Sequence, residues 1–209
     1  AAVIPYFEKF TARWPDFAAL SAAADEDVMA AWAGLGYYSR ARNLIACARM
    51  IVADYGGKLP PTAAQLRALP GIGDYTAAAI ASIAFGEAAP VVDANIERVT
   101  ARLFAIQTPL PAAKAEIRTR VADMTPADRP GDFAQAMMDL GASPCSVKNP
   151  QCLLCPVSPH CMGRAAGIAE MLPIKPPKKA KPERKGTAYW IERDGAFWVV
   201  TRPAKGMLG

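Results

Sequence analysis

The chain has 209 residues, 52% of them apolar, enough for one large domain or two small ones around a substantial core. No apolar run approaches the ~20 residues that cross a bilayer, and no charged-then-apolar leader is visible, so neither a membrane contact nor a secretory signal is expected. The net charge of +5 is uneven: residues 173–185 hold six basic groups and one acid, and the rest of the chain holds 18 of each sign. That Pro/Lys-rich segment reads first as an extended, solvated linker and second as a stretch that tracks phosphates.

In chain order, the pattern before the linker is helical. Ser39 to Tyr55 places Leu44, Ile45, Ala48, Ile51 and Val52 on one face and stops at Gly56-Gly57. Cys47, alone in this stretch, reads as a small core residue. Thr62 to Leu69 predicts a short helix and Asp74 to Phe85 a longer one. Asp93 to Ile106 is amphipathic through Ile96, Val99, Leu103 and Ile106, and Gly131 to Leu140 predicts a helix with Phe133 and Met137 inward. After the linker, Thr187 to Ile191 and Ala196 to Thr201 are rich in β-branched and aromatic residues. With Arg193-Asp194-Gly195 between them, they predict a β-hairpin.

Cys145, Cys152, Cys155 and Cys161 form a C-x6-C-x2-C-x5-C run, close enough in sequence to hold one inorganic centre. An iron–sulfur cluster is the first reading, since four thiolates hold a [4Fe–4S] group. Zinc, which usually pairs two short knuckles across a longer spacer, and disulfides are the alternatives. Five cysteines with this clustering fit a reducing, cytoplasmic setting better than a secreted one.

Two further strings carry candidate chemistry. Leu69-Pro70-Gly71-Ile72-Gly73 joins two predicted helices; its glycines permit a tight turn, and Asp74 could cap the next helix. The turn then presents backbone N–H groups where a phosphate oxygen could sit, although a plain helix–turn–helix connection has the same short string. Asp93 opens a helix, where the dipole favours a carboxylate; an ordinary N-cap is the alternative.

The chain resembles the helix-hairpin-helix DNA glycosylases that carry an iron–sulfur cluster, and among them the adenine DNA glycosylases of the MutY type. The matching strings are Val3-Ile4-Pro5-Tyr6-Phe7, Gly34-Leu35-Gly36-Tyr37-Tyr38 with Arg40-Ala41-Arg42-Asn43, Leu69 to Thr76, Val92-Asp93-Ala94-Asn95, Gln135 to Gly141 and the four cysteines, in the family's order. The resemblance implies an all-α glycosylase fold. Its expected boundaries are a helical core over 1–144 with the helix-hairpin-helix at about 62–86, a [4Fe–4S] loop over 145–165, a linker over 166–186 and the opening hairpin of a Nudix-like domain over 187–209.

It also implies roles. Asp93 would stabilise positive charge on the sugar of a flipped nucleotide, with Asn95 at the same site. Endonuclease III-like relatives carry a lysine where this chain has Tyr75, and a phenol cannot form an imine, so base excision without strand cleavage is expected. Tyr37 would wedge into the duplex, and core packing is its alternative. Leu69, Gly71, Ile72 and Gly73 would hold a phosphate through the turn, with Arg40, Arg42 and Lys148 (and Arg164) on other phosphates; solvated surface charge is the alternative for each side chain. The expected partner is double-stranded DNA with adenine opposite 8-oxoguanine or guanine, bound by a monomer in the bacterial cytoplasm at the nucleoid.

The chain departs from the family in two ways. The family's acidic glutamate lies upstream of the Val3-to-Phe7 string, so these residues hold no counterpart of it, and weak or no activity is expected of the chain as it stands. Both ends read as cut. Asp93-Ala94-Asn95 replaces the usual Asp-Gly-Asn. The alternatives are a glycosylase for thymine opposite guanine, which shares the tyrosine but typically ends near the cluster, and a noncatalytic DNA-binding fragment.

Overall fold

Pro5 in the first turn of α1 (Ile4–Arg13), Asp16 capping α2 (Phe17–Ala22) and acids in the first turn of α3 (Asp25–Ala31) start three helices that sequence periodicity did not resolve. Each is short, and α1 buries none of its residues. In this computed structural model the described residues are 3–177, 182–183, 185–187 and 189–200. They fall into two compact units, residues 1–57 with 177–209 and residues 58–176.

In the first unit α4 (Ser39–Tyr55) has the expected bounds and ends at Gly56, whose φ of +60° suits the left-handed cap position. It packs on α2 and α3. Leu20, Val28, Ile45 and Ala48 form the core, with Phe10, Trp14 and Phe17 against it. Burying each large aliphatic side chain contributes about 1.5–3 kcal/mol. Cys47 is buried here, as expected, and burial pushes its thiol above the usual range. Arg49 donates to Asp25 at 2.6 Å and to the carbonyl of Ser21, tying α4 to the α2–α3 junction.

The hairpin of this unit is shorter than expected. Strand β1 (Glu192–Arg193) pairs antiparallel with β2 (Ala196–Phe197) across Asp194-Gly195, both with positive φ. Tyr189 to Ile191 carry no strand, and Trp190 instead packs on the Phe197 ring at 4.6 Å. A pair of exposed strands without a third has little to hold a longer ladder. Linker residues 178–181 and 184, and residues 188 and 201–209 of the expected hairpin segment, lie outside the described residues.

The second unit holds α5 (Ala63–Leu66), α6 (Asp74–Phe85), α7 (Ala94–Leu103), α8 (Lys114–Met124), α9 (Pro130–Ala142) and, after two 3-10 turns, α10 (Met162–Ala165). Helix α8 was not legible in the sequence, because its apolar face is only Ile117 and Val121, one turn apart in a charged segment. Helix α9 packs against both α6 and α7, and the contact is made by glycines. A Cβ on Gly131 would lie 2.7 Å from the Ile83 Cα and the Ser82 carbonyl, and one on Gly141 would lie 2.6 Å from the Asn95 Cβ. Met137 is buried between them and Phe133 is half-buried. Gly131→Ala is expected to destabilise the protein by about 1–3 kcal/mol, because rigid backbone must move to admit the methyl. A lowered urea midpoint with an unchanged m value would show it.

Candidate functional site

The hairpin turn is built as its glycines suggest, with one difference. Gly71 takes a φ of +77°, Leu69 is buried beneath the turn, and the Ile72 N–H donates to the Leu69 carbonyl at 3.2 Å. Gly73 is extended and is itself the N-cap of α6. Asp74 therefore does not cap the helix. Its carboxylate pairs with Arg67 at 2.9 Å and with Arg118 of α8 at 3.2 Å. The position one residue into the helix faces sideways, and two guanidinium groups claim it. Such exposed pairs contribute little stability each.

Tyr75, next in α6, is exposed, and its hydroxyl donates to the Met138 sulfur of α9 at 3.6 Å. Asp93 is half-buried and caps α7: its Oδ1 accepts the Ile96 N–H at 2.7 Å. The other carboxylate oxygen has no hydrogen bond among the described residues. Asn95 Oδ1 accepts from Arg98 Nη2 at 2.9 Å.

Two arginines that the sequence did not single out tie this helix to the cysteine segment. Arg98 is buried; it donates through Nη2 to the Gly141 carbonyl at 2.6 Å and through Nε to the Cys145 carbonyl at 2.8 Å. Arg102, one turn on and 2% exposed, donates to the carbonyls of Ser146 (2.7 Å), Leu172 (3.1 Å) and Val147 (3.2 Å), and to the Cys145 Sγ at 3.2 Å. Their i, i+4 spacing among Ile96 and Val99 was the available signal: a cation on the buried face of an amphipathic helix requires acceptors.

Cys145, Cys152, Cys155 and Cys161 all line one cavity, whose remaining wall includes Val99, Leu103, Leu140, Pro150 and Val157. Burial, the largest effect, pushes the Cys155 thiol up; the Val157 backbone N–H pulls it down, and the other three cysteines push it up. Among the described residues no group of three or more His, Cys, Asp or Glu side chains converges tightly enough for a single metal ion. Gly163 lets α10 approach: a Cβ there would lie 2.5 Å from the Arg102 carbonyl. Ser158, 8% exposed, lines the same cavity, and its buried hydroxyl has no hydrogen-bond partner among the described residues. Lys148 and Arg164 are exposed on this segment.

Tyr37, Arg40 and Arg42 belong to the other unit. Tyr37 is 80% exposed with a φ of +47°, an uncommon conformation for an aromatic residue. Its loop is held from both sides: the Tyr6 hydroxyl donates to the Ala33 carbonyl at 2.8 Å, and Trp32 Nε1 donates to the Gly36 carbonyl at 3.0 Å. Tyr6 also occupies the space a side chain at Gly34 would need. The Arg40 guanidinium lies 5.0 Å from the Trp32 ring centre. Core packing, the alternative reading for Tyr37, does not describe this residue.

A helical unit with a helix-hairpin-helix turn, an aspartate at the start of the following long helix and a terminal cysteine segment defines a class. The sequence profile of the HhH-GPD superfamily base excision DNA repair proteins matches residues 1–124, and the chain belongs to that superfamily. Within it the chain is similar to adenine DNA glycosylases: 44% identical to that of Homo sapiens over 175 residues (82% of this chain, 32% of the relative), 41% to that of Mycolicibacterium smegmatis over 171 residues (79% and 56%), and 35% to that of Buchnera aphidicola subsp. Acyrthosiphon pisum over 198 residues (94% and 57%). The chain thus spans about one third to just over half the length of these relatives. Among solved structures it is similar to a thermostable thymine-DNA glycosylase, with TM-score 0.71 and 28% identity over 78% of this chain and 76% of the other. It is also similar to endonuclease III in a non-covalent DNA complex, with TM-score 0.68 and 25% identity over 80% and 78%. The helical fold class expected from the sequence is that of this superfamily, and no described helix is long and apolar enough to cross a membrane.

Replacing Arg102 with Met would leave the carbonyls of Ser146, Val147 and Leu172 without their donor. A loss of about 3 kcal/mol or more is expected, since each buried acceptor left unpaired costs about 1–3 kcal/mol. Urea unfolding, together with faster proteolysis within residues 145–165, would report it.

Proposed function

We propose that this chain is the glycosylase part of an enzyme that hydrolyses the N-glycosidic bond of adenine opposite 8-oxoguanine or guanine in duplex DNA. The observation that carries the reading is Asp93, half-buried at the start of α7 with one oxygen held by the Ile96 N–H and the other uncommitted. A carboxylate fixed in this way needs no reorganisation when positive charge develops on a deoxyribose. As the C1′–N9 bond breaks, its electron pair leaves with adenine. Asp93 stabilises the cationic sugar, and water adds to C1′ with loss of a proton. Asn95, held by Arg98, borders the same site. Identity of 35–44% to adenine enzymes, against 28% to the thymine-specific structure, favours adenine over thymine as the base released.

Tyr75 has no amine to attack C1′, so the product is an abasic site in an intact strand. The hairpin residues Leu69, Gly71, Ile72 and Gly73 take a phosphate on the backbone side of the turn. Tyr37, exposed on its braced loop, enters the base stack, with Arg40 and Arg42 on phosphates; Lys148 of the other unit takes a phosphate of its own. The domain limits are those of the motifs: a core over 1–144, a cluster loop over 145–165, a linker over 166–186 and the opening of a Nudix-like domain over 187–209.

The cysteine cavity fits a [4Fe–4S] group. Four thiols share one largely apolar chamber, as a four-thiolate group requires, and their spacing lacks the paired short knuckles usual for zinc. Cys145, Cys152, Cys155 and Cys161 would hold the cluster, which when bound braces this segment and offers a redox couple.

In single-turnover assays on an adenine:8-oxoguanine duplex, adenine release is expected from this chain and none from Asp93→Asn, with duplex binding retained. Thymine release from a guanine:thymine duplex in place of adenine release would overturn the substrate. Borohydride is expected to trap no protein–DNA adduct; high-yield trapping would contradict the monofunctional mechanism.

A further inference from the structure

Ser158 belongs to none of the motif strings named above, yet it lines the cysteine cavity and its buried hydroxyl is satisfied by no described residue. A hydroxyl buried without a partner costs about 1–3 kcal/mol, so an unexplained one in a packed segment points to a missing acceptor. The chamber around it is apolar apart from Arg102, Arg164 and the four sulfurs. Arg164 Nη1 reaches the Ser158 carbonyl at 3.4 Å rather than the hydroxyl. The Cys145 sulfur already receives Arg102 Nη1 at 3.2 Å. A donor aimed at sulfur is therefore already part of this cavity's construction. Ser158 also heads a 3-10 turn (Ser158–His160) whose last N–H bond runs from Cys161 to its own carbonyl at 3.2 Å. The turn that delivers the fourth cysteine thus fixes the serine beside it.

We propose that the Ser158 hydroxyl donates a hydrogen bond to a sulfur of the iron–sulfur group held by the four cysteines and protects that group against oxidation. The inference rests on the cluster reading above. A donor to sulfur disperses the negative charge of the cluster, favours its more reduced form and so resists loss of an electron. Ser158 is a positioning and tuning residue here, since nothing places it against the reacting base.

The experiment uses iron-loaded protein and follows the visible sulfur-to-iron absorbance during oxidation by excess ferricyanide. Ser158→Ala is expected to bleach roughly two- to tenfold faster than the unsubstituted protein, the range one modest hydrogen bond allows. Ser158→Thr keeps the hydroxyl and is expected to restore most of the resistance. Matching far-UV spectra and iron content before oxidation establish that the variants are folded and loaded. Equal bleaching rates for the alanine variant and the unsubstituted protein would overturn the proposal while leaving the cluster in place. Protein that carries zinc, or that reconstitutes without sulfide and shows no such absorbance, would overturn the cluster reading and this inference with it.

Discussion

Arg98 and Arg102 stand one turn apart on the buried face of α7, and much of the second unit is organised around them. Taking a guanidinium out of water costs several kcal/mol, and among the described residues neither arginine pairs with a carboxylate. Backbone carbonyls stand in for the counterion. Those of Gly141, Cys145, Ser146, Val147 and Leu172 converge on the two side chains. Gly141 lies in the last turn of α9, where the helix dipole adds negative potential. Segments without regular hydrogen bonds of their own thereby gain fixed partners, and the cysteine segment is anchored to the same helix that Asp93 caps.

The glycines make this arrangement possible by letting backbones meet. Gly141 lets α9 rest on Asn95, so the helix that carries the Gln135-to-Gly141 string braces the start of α7. Gly163 does the same between α10 and Arg102. In the hairpin, Gly71 supplies the left-handed turn while Gly73 serves as an extended cap. Two residues of one motif thus have different physical reasons. Asp74, released from capping, gathers Arg67 and Arg118 beside the turn, so its negative charge is offset by two cations.

Much of the fold was legible where periodicity and punctuation agreed. Helices α4 and α6 have the expected bounds, because long apolar stripes end at Gly56 and Gly86. Helices α1, α2, α3 and α8 were not resolved, because short or highly charged helices are stabilised by tertiary contacts more than by their own pattern. The hairpin after the linker was expected with strands over 187–191 and 196–201 and a turn at Arg193-Asp194-Gly195; its first strand instead lies at Glu192–Arg193, since β-propensity describes a half-buried strand and this one is exposed. Among the candidate site residues, the cysteines were visible from their spacing, and Asp93 and Tyr75 were singled out through the family resemblance. The buried roles of Arg98, Arg102 and Ser158 were not.

By itself the sequence carried the resemblance to the superfamily in the order of its motifs, and it determined the hairpin turn, the helix-capping aspartate and the clustering of four cysteines, because these last depend on local geometry and short spacing. Tertiary structure alone decided that Asp74 pairs with arginines instead of capping, that Tyr37 stands exposed with positive φ on a braced loop, and that two arginines bind the cysteine segment through its carbonyls. Each of those outcomes depends on which acceptors and donors distant segments bring within about 3 Å, the range over which a hydrogen bond forms.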